Sequence, residues 1–189
     1  MPSSLRTRFA MGVAIAAILA LTICLFRWEG RLWWCACGAW YPWSSNVLSE
    51  HNSQHFFDPY SITHVLHGFL FCGVLTWMLR RLRVGWRFVI AVAAEAIWEI
   101  VENTDFIIDR YRTATAAFDY RGDTVANSLG DIISAMLGFA LARRLGLRWS
   151  IIVYFVTEIV LLMWIHDGLF VNLLMLIHPI ESIKAWQLG

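Results

Sequence analysis

Apolar residues gather into five blocks along this chain, separated by short polar or arginine-rich segments. The first, Phe9–Phe26, contains no charged residue. A helix needs about 20 mostly apolar residues to cross a bilayer. On that criterion the pattern predicts five spanning helices, over roughly 9–27, 61–79, 87–108, 124–143 and 149–170. The last can break near Asp167 and Gly168, leaving residues 168–178 as a short sixth segment. The predicted fold class is all-α: an integral membrane helical bundle forming one domain over 1–189, with an outer loop at 28–60. No internal repeat or low-complexity linker divides it.

Arginine placement orients the spans. Arg6 and Arg8 precede the first span. Arg80, Arg81, Arg83 and Arg87 separate the second from the third, and Arg143, Arg144 and Arg148 the fourth from the fifth. Positive charge in short loops stays on the cytoplasmic side. The expectation is therefore a cytoplasmic N-terminus, a periplasmic C-terminus and an inner-membrane location. The first apolar block has the outline of a signal peptide, but Arg27, Trp28 and Glu29 stand where a small-residue cleavage site belongs. It is predicted to be an uncleaved span.

Composition agrees. The chain is 59% hydrophobic and 15% charged, against about 25% charged in ordinary soluble domains, and its mean hydropathy is +0.58. A net charge of +1 and the lack of a basic run interleaved with aromatics argue against nucleic-acid binding. Trp33, Trp34, Trp40 and Trp43 suit a membrane-interface belt. Cys24, Cys35, Cys37 and Cys72 fit neither a paired CxxC zinc pattern nor a disulfide scaffold, and are expected to be small packing residues. Nucleophile elbows, P-loops and dinucleotide fingerprints are absent from the sequence.

Ionisable residues inside the spans change the picture. Each costs about 2.5–3.5 kcal/mol at membrane depth on insertion scales, so they face protein or a wet cavity. Glu95, Glu99 and Glu102 recur at steps of four and three on one face of the third span. His64 and His67 lie one turn apart on the second. Asp123, Asn127 and Asp131 are spaced by four at the start of the fourth, and Glu158 lies within the fifth. Counting depth at about 1.5 Å per residue places His64, His67, Glu99, Glu102, Asn127 and Asp131 together in the outer half of the membrane, as the candidate catalytic set. Glu95 falls deeper, away from them. Asp123 also fits a helix N-cap. His64, His67, Glu102 and Asp131 are candidate ligands for a divalent metal, with proton relay or interhelical hydrogen bonding as alternatives. Arg112 and Arg121, in an outer loop, suit the anionic head group of a substrate or structural pairing with nearby acids.

Several of these runs resemble a known family. Asn52-Ser-Gln-His55, Asp58-x-Tyr60-Ser61-x-x-His64-x-x-His67-Gly68-Phe69, Glu95-x-x-Trp98-Glu99-x-x-Glu102-Asn103, Arg110-Tyr111-Arg112-x-x-Thr115, Asp119-Tyr120-x-Gly122-Asp123-x-x-x-Asn127-Ser128-x-x-Asp131 and the terminal Trp186-Gln187 are similar to uncharacterised protein family 0314. The resemblance covers most of the chain after about residue 30. It implies a multi-pass bacterial cell-membrane protein, mainly of alphaproteobacteria, and supplies no function. A weaker similarity to VanZ-like membrane proteins rests on a Glu-bearing helix paired with a later Asp-x-x-x-Asn helix.

Three functions fit these residues. The first is an intramembrane enzyme acting on a lipid or lipid-linked envelope substrate. The second is a proton- or cation-coupled transporter. The third is a structural or accessory membrane subunit whose buried polar network fixes helix register.

Overall fold

The computed structural model describes residues 3–189, with side chains from Leu5 onward, and those residues fold into helices joined by loops. In chain order they are α1 (Ser3–Trp28), α2 (Ser61–Met78), α3 (Val84–Glu102), α4 (Asp105–Ala114), α5 (Val125–Ile165), α6 (Leu169–Ile177) and α7 (Glu181–Gln187). Three of them, α1 from Leu5, α2 and α5, are long and apolar enough to cross a membrane. The 19 residues of α3 match that length, but Arg87, Glu95, Glu99 and Glu102 interrupt its apolar character.

Gly146 breaks α5. Its φ of 74° is left-handed and non-helical, a conformation that glycine adopts without a Cβ penalty. The hydroxyl of Ser150 donates to the carbonyl of Ala142 at 3.2 Å; in a straight helix those positions lie about 12 Å apart. Leu66 packs with Leu161 and Ile165, while Phe69, one turn away, packs with Phe139 and Ala142. The two legs of α5 therefore fold back on each other and both pack on α2. This break separates the fourth and fifth apolar blocks of the sequence.

Close backbone approach joins α2 to the first leg of α5. A Cβ added at Gly68 would lie 2.1 Å from the carbonyl oxygen of Ala135, and one at Gly138 would lie 2.0 Å from that of Val65. Small residues on both helices permit this contact, as is common between helices in membranes. On the other side α1 rises beside α3, with Ile15, Ile18 and Leu19 packed against Val92, Ala96 and Ile132. Leu137, Phe155, Ile159, Val160 and Met163 of α5 remain exposed, as does Phe9 of α1. Such an apolar exterior suits a lipid environment.

The end of the third span differs from the sequence expectation, whereas the break after the fifth agrees with it. The third span was expected to reach residue 108, but α3 stops at Glu102. Asn103 turns out of the helix, where its side-chain amide donates to the Asp123 carboxylate at 2.7 Å and to the Glu99 carbonyl at 3.0 Å; Thr104 is extended. A separate amphipathic helix, α4, follows. Beyond α5, residues 169–177 form α6, about 13 Å long and too short to span. The Glu158 carboxylate accepts from the free N–H groups of Leu169 at 3.1 Å and Phe170 at 2.8 Å. Glu158 thus complements the N-terminus of α6.

The loop from residue 29 to Tyr60 covers the end of the bundle where α2 and α5 begin. Orphan N–H groups at the start of α5 donate to it: Val125 to Leu32 at 2.8 Å and Ala126 to Trp33 at 3.2 Å. The N-cap of α5 is Thr124, whose hydroxyl accepts from the Asn127 N–H at 3.2 Å; Asp123, the N-cap expected from the sequence, is engaged elsewhere.

Candidate functional site

The first two turns of α2 present His64 and His67 to the last two turns of α3. Both Nδ1 atoms meet Glu95. His64 Nδ1 lies 2.5 Å from Glu95 Oε1, and His67 Nδ1 lies 3.1 Å from both carboxylate oxygens. Glu95 is fully buried. An ionised carboxylate only accepts, so each imidazole donates to Glu95 from Nδ1; a neutral ring in this contact keeps its lone pair on Nε2. His67 is further fixed by the edge of Trp98, 5.7 Å between ring centres.

The central position of Glu95 corrects the depth assignment made from sequence. Because α3 runs from Val84 to Glu102 rather than from 87 to 108, Glu95 lies past its midpoint, about 10 Å from its C-terminal end. Glu95 then matches the level of His64 and His67 on the antiparallel α2.

Around this core lie carboxylates with unmet capacity. Glu99 Oε1 is 3.2 Å from His64 Nδ1, but that nitrogen points at Glu95, and neither Glu99 oxygen makes a hydrogen bond. Asp131, from α5, places Oδ2 3.9 Å from His64 Nε2, and its Oδ1 is unpartnered. One oxygen of Glu102 accepts from the Tyr111 hydroxyl at 2.7 Å, which also lies 2.9 Å from Asn172 Oδ1; the other is unpartnered. Buried polar groups are normally paired, so a concentration of orphans in one place marks a site for protons, water or a cation.

A cavity of about 50 Å³ runs between these helices, lined by His64, His67, Trp98, Glu102, Tyr111, Tyr120, Asp123, Asp131, Asp167 and Asn172 among others. That is room for a few water molecules. Of the sequence-predicted set, His64, His67, Glu102 and Asp131 line it. Glu99 sits behind them. Asn127 is turned aside, its amide 3.5 Å from Asp58.

Donor atoms form two overlapping triads that share His64: His64, His67 and Glu95, and His64, Glu99 and Glu102, each with ligand atoms within 4.8 Å of one another. Asp131 belongs to neither triad. Carboxylate and imidazole together suit a divalent cation such as zinc or manganese.

The two arginines assigned to a head group part company. Arg112 is occupied, its Nε donating to the Tyr120 carbonyl at 2.6 Å and its Nη1 lying 3.4 Å from Asp109. Arg121 is exposed and lines a larger outer cavity of about 630 Å³ that shares Asn52, Tyr120 and Asp123 with the inner one.

Outside the spans, Asp58 and Asp123 anchor the roof. Asp58 accepts from the backbone of Ser53 at 2.9 Å and Tyr60 at 2.7 Å. Burial pushes its carboxyl up to about 6, with the charge of Asp123 adding to the effect. Asp123, raised chiefly by burial, accepts from Asn103 at 2.7 Å and from the Tyr120 hydroxyl at 2.9 Å. Tyr60 reaches over to Asp167 at 3.1 Å.

Sequence patterning did not single out Tyr111, Tyr120 or Asn172. Tyr111 and Tyr120 lie in the polar stretch between two spans, where their role depends on α4 turning back over the bundle. Asn172 lies in a run whose apolar neighbours read as lipid-facing.

Comparison with known proteins places these residues in a family context. A family model described as a protein of unknown function, DUF2585, matches residues 26–189. A UPF0314 protein of Brucella anthropi is 40% identical over 183 residues, covering 96% of this chain and 93% of the relative. One of Paracoccus denitrificans is 42% identical over 170 residues, covering 90% and 88%. One of Sphingopyxis alaskensis is 42% identical over 176 residues, covering 92% and 93%. No solved structure matches the chain.

Proposed function

We propose that this chain, which belongs to the DUF2585 (UPF0314) family of proteins of unknown function, is a multi-pass inner-membrane enzyme that uses a histidine pair to transform a lipid or lipid-linked envelope substrate. It crosses the membrane five times: α1, α2, α3 and the two legs of α5. Its N-terminus is cytoplasmic and its C-terminus periplasmic.

The observation that carries this proposal is the shared carboxylate. Glu95 receives both Nδ1–H groups, from His64 and His67, and leaves two Nε2 lone pairs as bases or metal ligands. A carboxylate behind an imidazole fixes its tautomer and raises its basicity, in general-base sites and metal sites alike. His67 is the general base for a water or hydroxyl nucleophile, accepting its proton at Nε2. The Tyr111 hydroxyl, held by Glu102, gives its proton to the leaving group and regains one, through water, from the His67 imidazolium. A divalent cation held by His64, Glu99 and Glu102 would polarise the bond under attack. The site lies beside apolar, lipid-compatible helix faces, which supports a membrane-resident substrate, and Arg121 on the outer cavity supports an anionic head group.

The test is lipid profiling of a deletion strain complemented with wild type, His67→Gln or Glu102→Gln. Wild type clears a lipid species that accumulates in the deletion strain, and the variants leave it in place while remaining folded and membrane-inserted. Full clearance by both folded variants sinks the proposal.

One observation favours a second function, proton- or cation-coupled transport. Glu99 is fully buried with both oxygens unpartnered, as suits an exchangeable proton or cation. Proteoliposomes that show no pH-driven uptake or proton flux exclude it.

A further inference from the structure

Residues 35–55 of the outer loop bring together four side chains that the buried site does not use. Cys35 and Cys37 flank a tight turn, closed by the Gly38 N–H donating to the Cys35 carbonyl at 3.1 Å and by the left-handed φ of 69° at Gly38. His51 and His55 stand four residues apart on a run of consecutive turns, with Asn52 donating to Ser49 at 3.1 Å and Gln54 to His51 at 3.2 Å. The two turns face each other. Cys35 Sγ lies 3.4 Å from His51 Nδ1, and Cys37 Sγ lies 3.9 Å from His55 Nε2. One donor atom from each of the four residues falls within 4.8 Å of all the others.

From this geometry we propose that Cys35, Cys37, His51 and His55 form a tetrahedral zinc site in the outer loop, separate from the buried histidine pair.

The distances suit the ion. With Zn–S about 2.3 Å and Zn–N about 2.0–2.1 Å, neighbouring ligands of a tetrahedron sit about 3.3–3.8 Å apart. Of the sulfur–nitrogen separations, 3.4 Å falls inside that range and 3.9 Å just above it, and no pair within the 4.8 Å limit needs to close by more than about 1.5 Å. Two thiolates and two imidazoles, with no carboxylate among them, favour zinc over magnesium or calcium. Cys35 and His55 are buried, at 7% and 1% exposure. His55 is stacked on Tyr41 with ring centres 3.9 Å apart and touched by the edge of Trp34 at 5.5 Å, so its ring is held in place before the ion arrives. The outer cavity, lined by Cys35, Cys37 and His51, gives the ion a path of entry.

Four protein ligands close the coordination sphere, which makes the site structural. Its consequence is local. Zinc staples residues 35–37 to 51–55, and the backbone just past His51 supplies Asn52 and Ser53 to the lining of the inner cavity. Ser53 also donates to Asp58 at 2.9 Å and accepts from the Thr124 N–H at 3.1 Å. The ion therefore fixes the roof of the buried site from outside the membrane.

Full-length protein in detergent tests the proposal through cobalt substitution and metal content. Wild type is expected to hold one tightly bound zinc per chain in this loop, distinguished from any cation at the buried carboxylates by its thiolate ligands. With cobalt it is expected to show tetrahedral d–d bands and a near-ultraviolet thiolate-to-cobalt charge-transfer band, which imidazole and carboxylate ligands cannot produce. A Cys35→Ser, Cys37→Ser variant loses that band and the zinc; Glu95→Gln keeps both. If the cysteine variant does not fold, alkylation of wild type decides: chelation speeds maleimide labelling of Cys35 and Cys37 by about tenfold or more, and zinc reverses it. A wild-type protein with no thiolate band, a Cys35–Cys37 disulfide after anaerobic purification with zinc, or labelling rates indifferent to chelator overturns the proposal.

Discussion

His64 and Glu95 meet across the α2–α3 interface, Nδ1 to Oε1, at 2.5 Å. Both are buried, so this contact ties the two helices together and sets the protonation pattern of the site. The same carboxylate holds His67. Glu95→Gln keeps the shape but turns one acceptor oxygen into an NH₂ donor and removes the negative charge that favours an Nδ1–H on both imidazoles. The expected outcome is loss of the uniform Nδ1–H state. Nitrogen-15 histidine spectra of wild type in nanodiscs should show His64 and His67 in one tautomer, and those of the variant a mixture. Unchanged spectra would refute the shared-carboxylate arrangement.

The contact of Gly68 with the Ala135 carbonyl predicts a packing defect. A Cβ at Gly68 would meet backbone atoms, at 2.1 Å from the Ala135 oxygen and 2.6 Å from the Phe139 nitrogen, and backbone cannot swing aside as a side chain can. Gly68→Val is expected to destabilise the bundle by about 3 kcal/mol or more. Thermal unfolding in detergent should show a clear fall in midpoint or a loss of the monodisperse species. Gly73→Ala, where nothing lies within 4 Å, is the control and should be close to neutral.

Much of the site was legible before the structure because intramembrane charge is so costly that each such residue signals an interior partner. That logic found His64, His67, Glu99, Glu102 and Asp131, all within the same cluster. It failed on Glu95 because hydropathy does not mark where a helix ends. Phe106, Ile107 and Ile108 extend the apolar pattern past Asn103, whereas Asn103 hydrogen bonding to Asp123 ends α3 there. The Cys35, Cys37, His51 and His55 grouping was hidden for another reason. Cys35-x-Cys37 is tighter than the usual zinc spacing and His51-x-x-x-His55 alone is not specific, so only the folding of the loop, which brings the two turns together, reveals the group. Glu158, grouped with the acids by its depth in the fifth span, instead serves the N-terminus of α6.

Asp58 predicts a pH effect outside the spans. Its carboxyl rises from 3.8 to about 6 in the fold, first through burial and then through the charge of Asp123. A raised carboxyl binds its proton more tightly when folded, so this group favours the folded state at low pH. The benefit is full below about pH 3.8 and fades as pH climbs through about 6, by about 3 kcal/mol in all. Asp58→Asn should flatten that slope in thermal midpoints recorded between about pH 4 and 7. It should also lower stability across the range by about 1–3 kcal/mol, because one of the backbone N–H groups now facing Asp58 loses its acceptor.

Tyr111 links three elements: its hydroxyl sits 2.7 Å from Glu102 on α3 and 2.9 Å from Asn172 on α6. Tyr111→Phe leaves Glu102 with both oxygens unpartnered and frees α6. The expected cost is about 1–3 kcal/mol, with the change concentrated in α6. Hydrogen exchange followed by mass spectrometry should show faster exchange in residues 169–177 while α2 and the first leg of α5 keep their protection. Uniform loosening of the whole bundle would contradict the assignment of this contact to α6 docking.

The break at Gly146 predicts where the chain turns in the membrane. A straight helix from Val125 to Ile165 would be about 60 Å long, twice the thickness of the hydrocarbon core. Divided at Gly146 it gives two legs of about 20 residues, each about 30 Å long and matched to that core. Arg143, Arg144 and Arg148 flank the turn, and the orientation proposed above puts it on the cytoplasmic side. Reporter fusions ending at Gly146 should therefore show cytoplasmic activity, and fusions ending at Gly168 periplasmic activity. Gly146→Ala forces a Cβ into a positive-φ extended conformation at about 1–3 kcal/mol with open space around it, so it should weaken the turn without reversing this pattern. Two fusions reporting the same compartment would mean that α5 enters and leaves by one face, and the five-span count would fall with it.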